Sequence, residues 1–282
     1  MPTTAHTVTA EGYTVADVIA AAETLWPRSG AEGWDAPGLI SGDPAAQVKR
    51  IRLAIDAVID TVDEAIAEAD DVLVVHHPLL LRGVTTLAED SYKGSVMARL
   101  IRARCALFAA HTNADAVETG TSAVLARLLG LHNPLPLVVG ESSARGLGRV
   151  GRLTTATTLG RLAQQLAEIL PPTAGGIRVA GDYDRVIETV ALCAGAGDSL
   201  LGNAAVRAAD VYISSDLRHH PASEFAESAR IGGGPALIDI SHWASEWLWL
   251  DTAAEQLRAL LPGITVSVSE LRTDPWDFSI VQ

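Results

Sequence analysis

The segment DVLVVHHPLLLRG, residues 71 to 83, predicts the fold class of this 282-residue chain. Asp71 to Val75 is a short, continuous apolar run of the kind found in strands that are buried on both faces. Two histidines follow it directly, and Pro78 ends regular strand pairing. Because ligands commonly lie at the C-terminal ends of strands in α/β folds, this segment predicts an α/β protein with a polar site after the strand.

The rest of the chain alternates short apolar runs with longer amphipathic segments, which favours α/β or mixed layers over an all-helical bundle. Thr14 and Asp17 resemble a capping box before the first helix, and Thr61 is predicted to begin the second. The predicted strands are 51–55, 71–75, 106–110, 150–154, 176–180, 186–193, 210–214, 236–240 and 264–268. The predicted helices are 15–25, 61–69, 95–104, 121–129, 158–170 and 242–261.

Length and composition narrow the class of protein further. The length fits two ordinary domains, and the segment Asn133 to Gly148, with two prolines and three glycines, is taken as the first domain boundary. No apolar run of 18 residues occurs and Met1 to Gly12 lacks a signal-peptide pattern, so we expect a cytoplasmic protein without a membrane span. The net charge of −13 disfavours nucleic-acid binding.

The two cysteines, Cys105 and Cys193, lie in apolar runs and are predicted to be buried. No pair of cysteines has metal-ligand spacing, which excludes a structural zinc ribbon.

Candidate metal ligands follow two of the predicted strands. His76 and His77 leave an extended backbone in different directions, so each imidazole can reach a different metal ion, although two unrelated turn histidines would look the same. In the turn HTNAD, Asp115 is a candidate ligand and so is His111. Alternatively, the polar residues of this turn close an Asx-type turn or cap the next helix.

A third candidate lies at the start of the C-terminal helix. His242 and Glu246 are four residues apart and therefore share one helix face, behind Ser241 as the predicted N-cap. The alternative is a helix-terminal histidine without a ligand role. Three imidazoles and two carboxylates form a mixed nitrogen and oxygen set that suits Zn, Mn, Fe, Co or Ni. Two such ions can acidify water and polarise a reacting phosphoryl or carbonyl oxygen.

Two further segments have open interpretations. The glycine-rich turn Gly195 to Leu201 could present backbone N–H groups to an anion, or it could allow close packing of a strand on a helix. Asp216, His219 and His220 could act as general acid or base groups, because histidine titrates near neutral pH, or they could cap the next helix.

Five motifs occur in an order that is similar to a known family: WDAPGL, VVHHPLL, AHTNAD, VALCAGAGDSLL and ISHWASE. Over roughly residues 14 to 280, the chain resembles the Nif-three-like family (NGG-one-interacting factor three), whose members are often labelled GTP cyclohydrolase I type 2 homologues. The resemblance implies two α/β domains, with 1–132 plus 236–282 forming the metal-binding domain and 133–235 the middle domain. It also implies a toroidal homohexamer, a trimer of dimers with metal pairs facing an inner cavity.

The resemblance further implies a ligand scheme for two divalent metal ions per chain. His77 and Asp115 would bind one ion, His76 and His242 the other, and Glu246 would bridge them. Asp35, beside Trp34 in the WDAPGL loop, would lie near the cavity. Two departures affect substrate handling more than metal binding: Ser-His-Trp replaces a common Gly-His-Tyr, and WDA replaces WDN.

The leading hypothesis is a dinuclear metal-dependent hydrolase that acts on a small nucleotide-like or phosphorylated molecule, with His219 or His220 moving protons. The alternative is a metal-binding, metal-delivery or regulatory assembly protein without turnover. A third hypothesis is that the metal pair only braces the hexamer.

Overall fold

The computed structural model describes residues 12–140, 142 and 144–280, and within them the chain forms two compact units. The first unit runs to Asn113 and also includes Ala253–Leu271. The second unit is Ala114–Thr252 together with the segment from Arg272 onward. The N-terminal stretch to which the signal-peptide prediction applies lies outside the described residues, apart from Gly12.

The first unit is built around a five-stranded sheet in the described part of the chain. Four of its strands are parallel, and Gly38–Ser41 pairs antiparallel with Ala106–Ala109 at one edge. The order across the sheet is Thr265–Val268, Arg50–Ala54, Val72–Val75, Ala106–Ala109 and Gly38–Ser41. A short pair, Tyr13–Thr14 and Gln47–Val48, lies apart from it. The helices are Val15–Leu25, Ile59–Ala67 and Tyr92–Ala103, with a 3₁₀ turn at Arg28–Gly30.

Burial explains why these residues form the centre of the sheet. Every residue of Val72–Val75 and of Ala106–Ala109 is buried, as expected for parallel strands covered on both faces. Leu73, Val75 and Leu107 pack with Val96 and Leu100 of the neighbouring helix in one apolar cluster. The C-terminal ends of the two strands are therefore held firmly, and the histidine segments follow directly from them.

The second unit contains a six-stranded mixed sheet and a short strand pair, Val138–Val139 with Gly146–Leu147, within the described residues. The order across the sheet is Arg178–Ala180, Ala236–Ile240, Val211–Ser215, Val186–Ala196, Arg149–Thr158 and Leu131–Leu135. The helices are Thr121–Leu128, Leu159–Ile169, Ala204–Ala208, His219–Gly232 and His242–Trp247, with a 3₁₀ turn at Asp198–Leu200. Two short parallel pairings join the three central strands.

The chain passes from one unit to the other at three points: within the helix Thr112–Asp115, within the helix Trp249–Leu260, and after Leu271. The compact units therefore differ from the predicted domains in the placement of 114–132, of 236–252 and of the segment from 272 onward. The strand Ala236–Ile240 pairs with Val211–Ser215 in the second sheet. The proline- and glycine-rich segment Asn133 to Gly148, of which residues 141 and 143 lie outside the described part, contains paired strands of the second unit.

Several predicted elements are confirmed, and two predicted helices differ in their start or in their length. Thr14 and Asp17 form the predicted capping box of Val15–Leu25. The second helix begins at Ile59, before Thr61, whose hydroxyl accepts from the backbone N–H of Val58 and donates to the carbonyl of Asp56. The long C-terminal helix is two helices, His242–Trp247 and Trp249–Leu260. Among the described residues, no helix has the length and apolar character needed to cross a membrane.

Candidate functional site

Three imidazoles of the first unit lie together at the ends of two neighbouring parallel strands. His76 and His77 follow Val72–Val75, and His111 follows Ala106–Ala109. The ring centroids are 5.1 Å apart for His76 and His77, 5.2 Å for His76 and His111, and 5.6 Å for His77 and His111. One ring nitrogen of each lies within 4.8 Å of the other two, so the group could hold a metal ion.

An oxygen atom fixes each of these rings. Nδ1 of His76 lies 2.8 Å from the carbonyl oxygen of Ala110, and Nδ1 of His77 lies 2.7 Å from Oδ1 of Asp56. Nδ1 of His111 lies 2.8 Å from Oδ1 of Asp35. An acceptor at Nδ1 favours the tautomer that carries the proton there and leaves the Nε2 lone pair for a metal, the usual arrangement behind histidine ligands.

Asp35 is the most strongly held carboxylate of this cluster. It accepts hydrogen bonds from the backbone N–H and the hydroxyl of Thr112 as well as from the His111 ring. Burial alone would raise the pKa of Asp35, but the bonds from His111 and Thr112 outweigh it and hold that pKa well below its usual range. The WDAPGL loop thus supplies the acceptor that orients His111.

In the second unit, His242 and Glu246 form a pair on one helix face. Nε2 of His242 lies 3.0 Å from Oε1 of Glu246, one helical turn further on. Nδ1 of His242 lies 2.7 Å from Oδ2 of Asp216. Ser241 is the N-cap, as predicted, and its hydroxyl accepts from the backbone N–H of Ala244. The sequence spacing therefore identified two groups that do lie side by side.

Two carboxylates determine the protonation of His242. Burial lowers the pKa of His242, but the charge of Glu246, together with the hydrogen bonds that the ring donates to both carboxylates, outweighs it and raises the pKa from 6.5 to about 11. In the metal-free chain the ring is therefore an imidazolium at neutral pH. A divalent cation would take the place of this proton between the imidazole and the carboxylate.

A glycine faces the His242–Glu246 pair. Gly195 has a φ of +72°, and a Cβ at this position would come within 2.2 Å of Oε1 of Glu246 and 3.3 Å of Nε2 of His242. Its N–H donates to the Ser245 hydroxyl, and its carbonyl accepts from the Ser214 hydroxyl. Because only glycine fits this conformation beside the carboxylate, the backbone leaves a space at the two candidate ligands that a side chain would fill.

These contacts decide between the two interpretations of Gly195 to Leu201. The N–H of Gly195 is already bonded to Ser245, and a Cβ at Gly197 would come within 2.3 Å of the Ser214 and Tyr212 hydroxyl oxygens. The segment continues into a 3₁₀ turn rather than a long helix. The structure favours close packing over anion binding as the reason for these glycines.

Asp115 ends the short helix Thr112–Asp115, where a turn was predicted, and accepts a hydrogen bond from the Thr121 hydroxyl. Burial and the negative charges of Asp115 and Glu246 raise the pKa of Cys193 to about 12. The negative charges of both candidate carboxylates thus raise the pKa of the same thiol, that of Cys193. Asn113, in contrast, has a structural role, since it bonds the N–H of His111 and the carbonyl of Trp26.

The three residues predicted as acid or base groups separate in the structure. Asp216, at a φ of 55°, contacts the His242 ring and so orients a candidate ligand. His219 and His220 begin the helix His219–Gly232, are exposed, and contact each other with ring centroids 5.2 Å apart. The geometry therefore ties Asp216 to the candidate ligands of the second unit.

His111 was one of two candidates in HTNAD, and the implied ligand scheme did not include it. The signal that could have identified it is its position two residues after a buried strand, parallel to and beside the strand that precedes His76. The Asp35 partner is 76 residues away in sequence, and no local pattern connects the two.

The donor atoms fit a divalent transition metal. Imidazole nitrogens dominate the first unit, and an imidazole with a carboxylate forms the pair in the second, with no thiolate among them. This mixture suits Zn²⁺ and the neighbouring first-row ions better than Mg²⁺ or Ca²⁺, which prefer oxygen ligands. The space kept open by Gly195 beside Glu246 agrees with such an occupant.

Comparison with known proteins supports the same family that the motifs indicate. A model of the Duf34/NIF3 (NGG1p interacting factor 3) family matches residues 13–275. The "GTP cyclohydrolase 1 type 2 homolog" of Streptomyces coelicolor is 45% identical over 269 residues, covering 93% of each chain. The protein of that name from Mycobacterium tuberculosis is 32% identical, covering 93% of this chain and 96% of its own.

Solved structures agree in fold. Staphylococcus aureus hypothetical protein SA1388 matches with a TM-score of 0.84 and 26% identity, over 95% of this chain and 100% of that one. A Bacillus cereus protein related to NIF3 matches with a TM-score of 0.85 and 22% identity, over 95% and 99% of the two chains, and supports the fold alone. The chain belongs to the Duf34/NIF3 family.

Proposed function

We propose that this chain binds two divalent metal ions and uses them to hydrolyse a small nucleotide-like or phosphorylated molecule. The observation that carries the proposal is the His242–Glu246 pair. Asp216 contacts Nδ1 of the imidazole, and Gly195 leaves open the space beside the carboxylate of Glu246. The proposed ligand set takes His76 and His77 from the first unit and Asp115, His242 and Glu246 from the second.

The chain's own residues have defined tasks in this proposal. Asp56 and Asp216 hold the rings of His77 and His242 through Nδ1, so that Nε2 is the ligating atom. Glu246, buried within the fold, would supply a carboxylate to hold the metal ions. Bound divalent metals supply Lewis acidity, which activates water and stabilises negative charge on a reacting oxygen. His219 and His220 are the proposed proton-transfer groups.

The names of the relatives suggest where to look for a substrate. Several are called "GTP cyclohydrolase 1 type 2 homolog", so purine nucleotides belong first in an activity screen. Phosphate monoesters and diesters follow, because metal pairs commonly catalyse displacement at phosphorus. The second candidate function is metal binding or delivery without turnover, which the same ligand set would serve.

The deciding experiment measures metal content per chain by mass spectrometry after loading with Zn²⁺, Mn²⁺, Fe²⁺, Co²⁺ or Ni²⁺. We expect about two ions per wild-type chain and a sharp loss in Glu246→Gln, which keeps the shape of the side chain but removes its charge. Glu255→Gln, at an exposed position of Trp249–Leu260, is the control. A wild-type chain that takes up no metal under any loading would remove the proposal.

Turnover separates the two candidate functions. Metal-dependent hydrolysis that is lost in Glu246→Gln supports the enzyme. Stable metal content without turnover, combined with ready release to a chelator, supports a binding or delivery protein. Retained metal with no turnover and slow release would count against both delivery and catalysis.

We also propose that the chain assembles as a homohexamer, a trimer of dimers. The segment after Arg272 supports an interface, because Trp276, Phe278 and Ile280 are 67%, 78% and 78% exposed in the single chain. Light scattering should give about six times the monomer mass. Dissociation on adding a chelator would show that the metal also braces the assembly.

A further inference from the structure

The second unit contains a pocket of about 460 Å³ that the proposed metal site does not use. Two arginines line it, Arg127 near the end of the helix Thr121–Leu128 and Arg149 at the start of a strand. Pro134 and Leu135 belong to its apolar wall, and Leu135 is 61% exposed in the single chain. The pocket therefore combines two positive charges with an uncovered apolar surface, although the whole chain has a net charge of −13.

Arg149 is a buried cation that is held by carbonyl groups. Its guanidinium donates to the carbonyl oxygens of Gly146, Gly148 and Val117 at 2.6–2.8 Å. Carbonyl groups satisfy hydrogen bonds but carry no net charge, and these bonds use three of the five N–H groups of an arginine. Burial disfavours the charged form and lowers the pKa of Arg149. An anion in the pocket would offset this cost of burying the charge.

Neither arginine of the pocket contacts a carboxylate within the part of the chain that the structure describes. Arg127 donates to the Thr252 hydroxyl at 3.3 Å. Several other arginines of the second unit are paired with an aspartate or a glutamate, namely Arg152, Arg178, Arg218 and Arg230. Both positive charges of the pocket are therefore available to an anion that enters from solvent.

We propose that this pocket binds a phosphorylated small molecule, with the phosphate held by Arg127 and Arg149 and the carbon skeleton against Pro134 and Leu135. Arginine suits phosphate because its planar N–H groups can contact two oxygens at once. A cavity of a few hundred cubic ångströms with an apolar wall and a few polar groups is typical of small-molecule sites. The site goes beyond the proposed metal-dependent hydrolysis, because binding in this pocket requires no metal ion.

Glu118 allows the proposal to be tested in both directions. This exposed carboxylate also lines the pocket and would repel a bound phosphate. Removing its charge in Glu118→Gln should therefore tighten binding, whereas removing the charge of Arg127 in Arg127→Gln should weaken it. A general loss of structure would weaken binding in both variants.

The experiment is isothermal titration of the full chain with adenosine 5′-monophosphate (AMP), adenosine and inorganic phosphate, after metal removal on a chelating resin. We expect AMP to bind wild type at least about 10-fold more tightly than adenosine. Arg127→Gln and Arg149→Lys should each weaken AMP binding about 10-fold, and Glu118→Gln should tighten it about 2- to 5-fold. Arg161→Gln, an exposed control in Leu159–Ile169, should leave AMP binding unchanged.

Several results would overturn the proposal. The phosphate site is wrong if neither AMP nor inorganic phosphate binds, if adenosine binds as tightly as AMP, or if Arg127→Gln leaves AMP binding unchanged. Inorganic phosphate that binds as tightly as AMP would show that the apolar wall contributes nothing, which overturns the assignment to a small molecule. Circular dichroism shows whether each variant is folded. Because no metal is present, failure here leaves the metal content of wild type, and so the proposed function, to its own test.

Discussion

The two units support their histidines in different ways. In the first unit, three rings follow the ends of buried parallel strands, and each is fixed by an oxygen from another part of that unit. In the second unit, His242 takes its position from a helix, with Glu246 on the next turn and Asp216 behind it. Strand ends converge only after the sheet has formed, whereas helix spacing places two ligands locally.

The two units also differ in what keeps their candidate metal ligands accessible to an ion. The first group relies on acceptors placed behind the rings. The second relies on the absence of a side chain at Gly195, because a Cβ there would lie only 2.2 Å from Oε1 of Glu246. The first group should therefore tolerate changes in front of the rings better than the second tolerates an added methyl group.

The largest effect is expected from Gly195→Ala. The new Cβ would strike Oε1 of Glu246, and φ at +72° would strain the alanine backbone. We expect a loss of about 2–5 kcal/mol in the free energy of unfolding and a loss of the ion bound by His242 and Glu246. Urea unfolding and metal analysis measure the two effects.

Gly202→Ala is the matched control for this change, because no atom lies within 4 Å of its added Cβ. A Gly195→Ala chain with unchanged metal content and stability would show that the open space beside Gly195 is needed neither for folding nor for metal binding.

The next largest effect on metal binding is expected from the carboxylates that contact Nδ1 of the two histidines His77 and His242. Asp56 is 25% exposed beside His77, while Asp216 is 61% exposed beside His242. We expect Asp56→Asn to weaken metal binding roughly 10- to 100-fold and Asp216→Asn to weaken it only about a few-fold, since solvent screens the exposed partner. Isothermal titration with Zn²⁺ measures both. Equal losses would mean that burial does not distinguish the two supports.

The metal-free units should also respond to pH in opposite directions. Asp35 has a lowered pKa in the folded chain, so its contribution to stability is present above the ordinary carboxyl pKa of 3.8 and is lost as pH falls through the folded value. His242 has a pKa raised to about 11, so its contribution is complete below 6.5 and is lost as pH rises towards 11.

Calorimetry with a chelator present tests this contrast. Between pH 7 and 10, the Tm of wild type should fall more steeply than that of His242→Gln. Between pH 5 and 3, it should fall more steeply than that of Asp35→Asn. Parallel curves for a variant and wild type would show that the substituted group carries no linked stability. Because a metal must displace the His242 proton, metal affinity at that residue should rise with pH.

The smallest effects come from the helix caps of the two units. Thr14 has a reciprocal capping box with Asp17, whereas Thr158 has only its own bond to the N–H of Arg161. We expect Thr14→Ala to cost about 1 kcal/mol and Thr158→Ala about 0.5 kcal/mol in the free energy of unfolding. Urea denaturation resolves the order, and a larger loss at Thr158 would contradict it.

The sequence predicted the parts of the site that depend on local spacing. The Ser241 cap and the shared face of His242 and Glu246 follow from helix geometry, and the strand before His76 follows from its apolar run. Parallel strands then explain why a second polar segment, with His111, comes to the same sheet end.

The remaining features depend on contacts between distant parts of the chain. The bond between His111 and Asp35 joins residues 76 apart, and no periodicity encodes it. The apolar run Ala236–Ile240 predicts a strand but does not show which sheet that strand joins. It pairs with Val211–Ser215 in the second sheet, and for this reason the compact units differ from the predicted domains. The Thr-x-x-Glu spacing predicts Thr61 as an N-cap. In the structure Thr61 is the third residue of the helix, and its hydroxyl accepts a hydrogen bond from the backbone N–H of Val58.

The pairing of Thr265–Val268 with Arg50–Ala54 has a consequence for how the protein is made. A ribosome that adds about 5–20 residues per second needs roughly 10–40 s to pass from one strand to the other. During that interval Arg50–Ala54 is the outer strand of an unfinished sheet, with open hydrogen-bonding groups along one side. The main segment of the second unit, Ala114–Thr252, is synthesised before the last strand of the first unit, and only the segment from Arg272 onward follows that strand. In released chains that end before residue 265, the segment Ala114–Thr252 should therefore resist protease while the first unit remains susceptible.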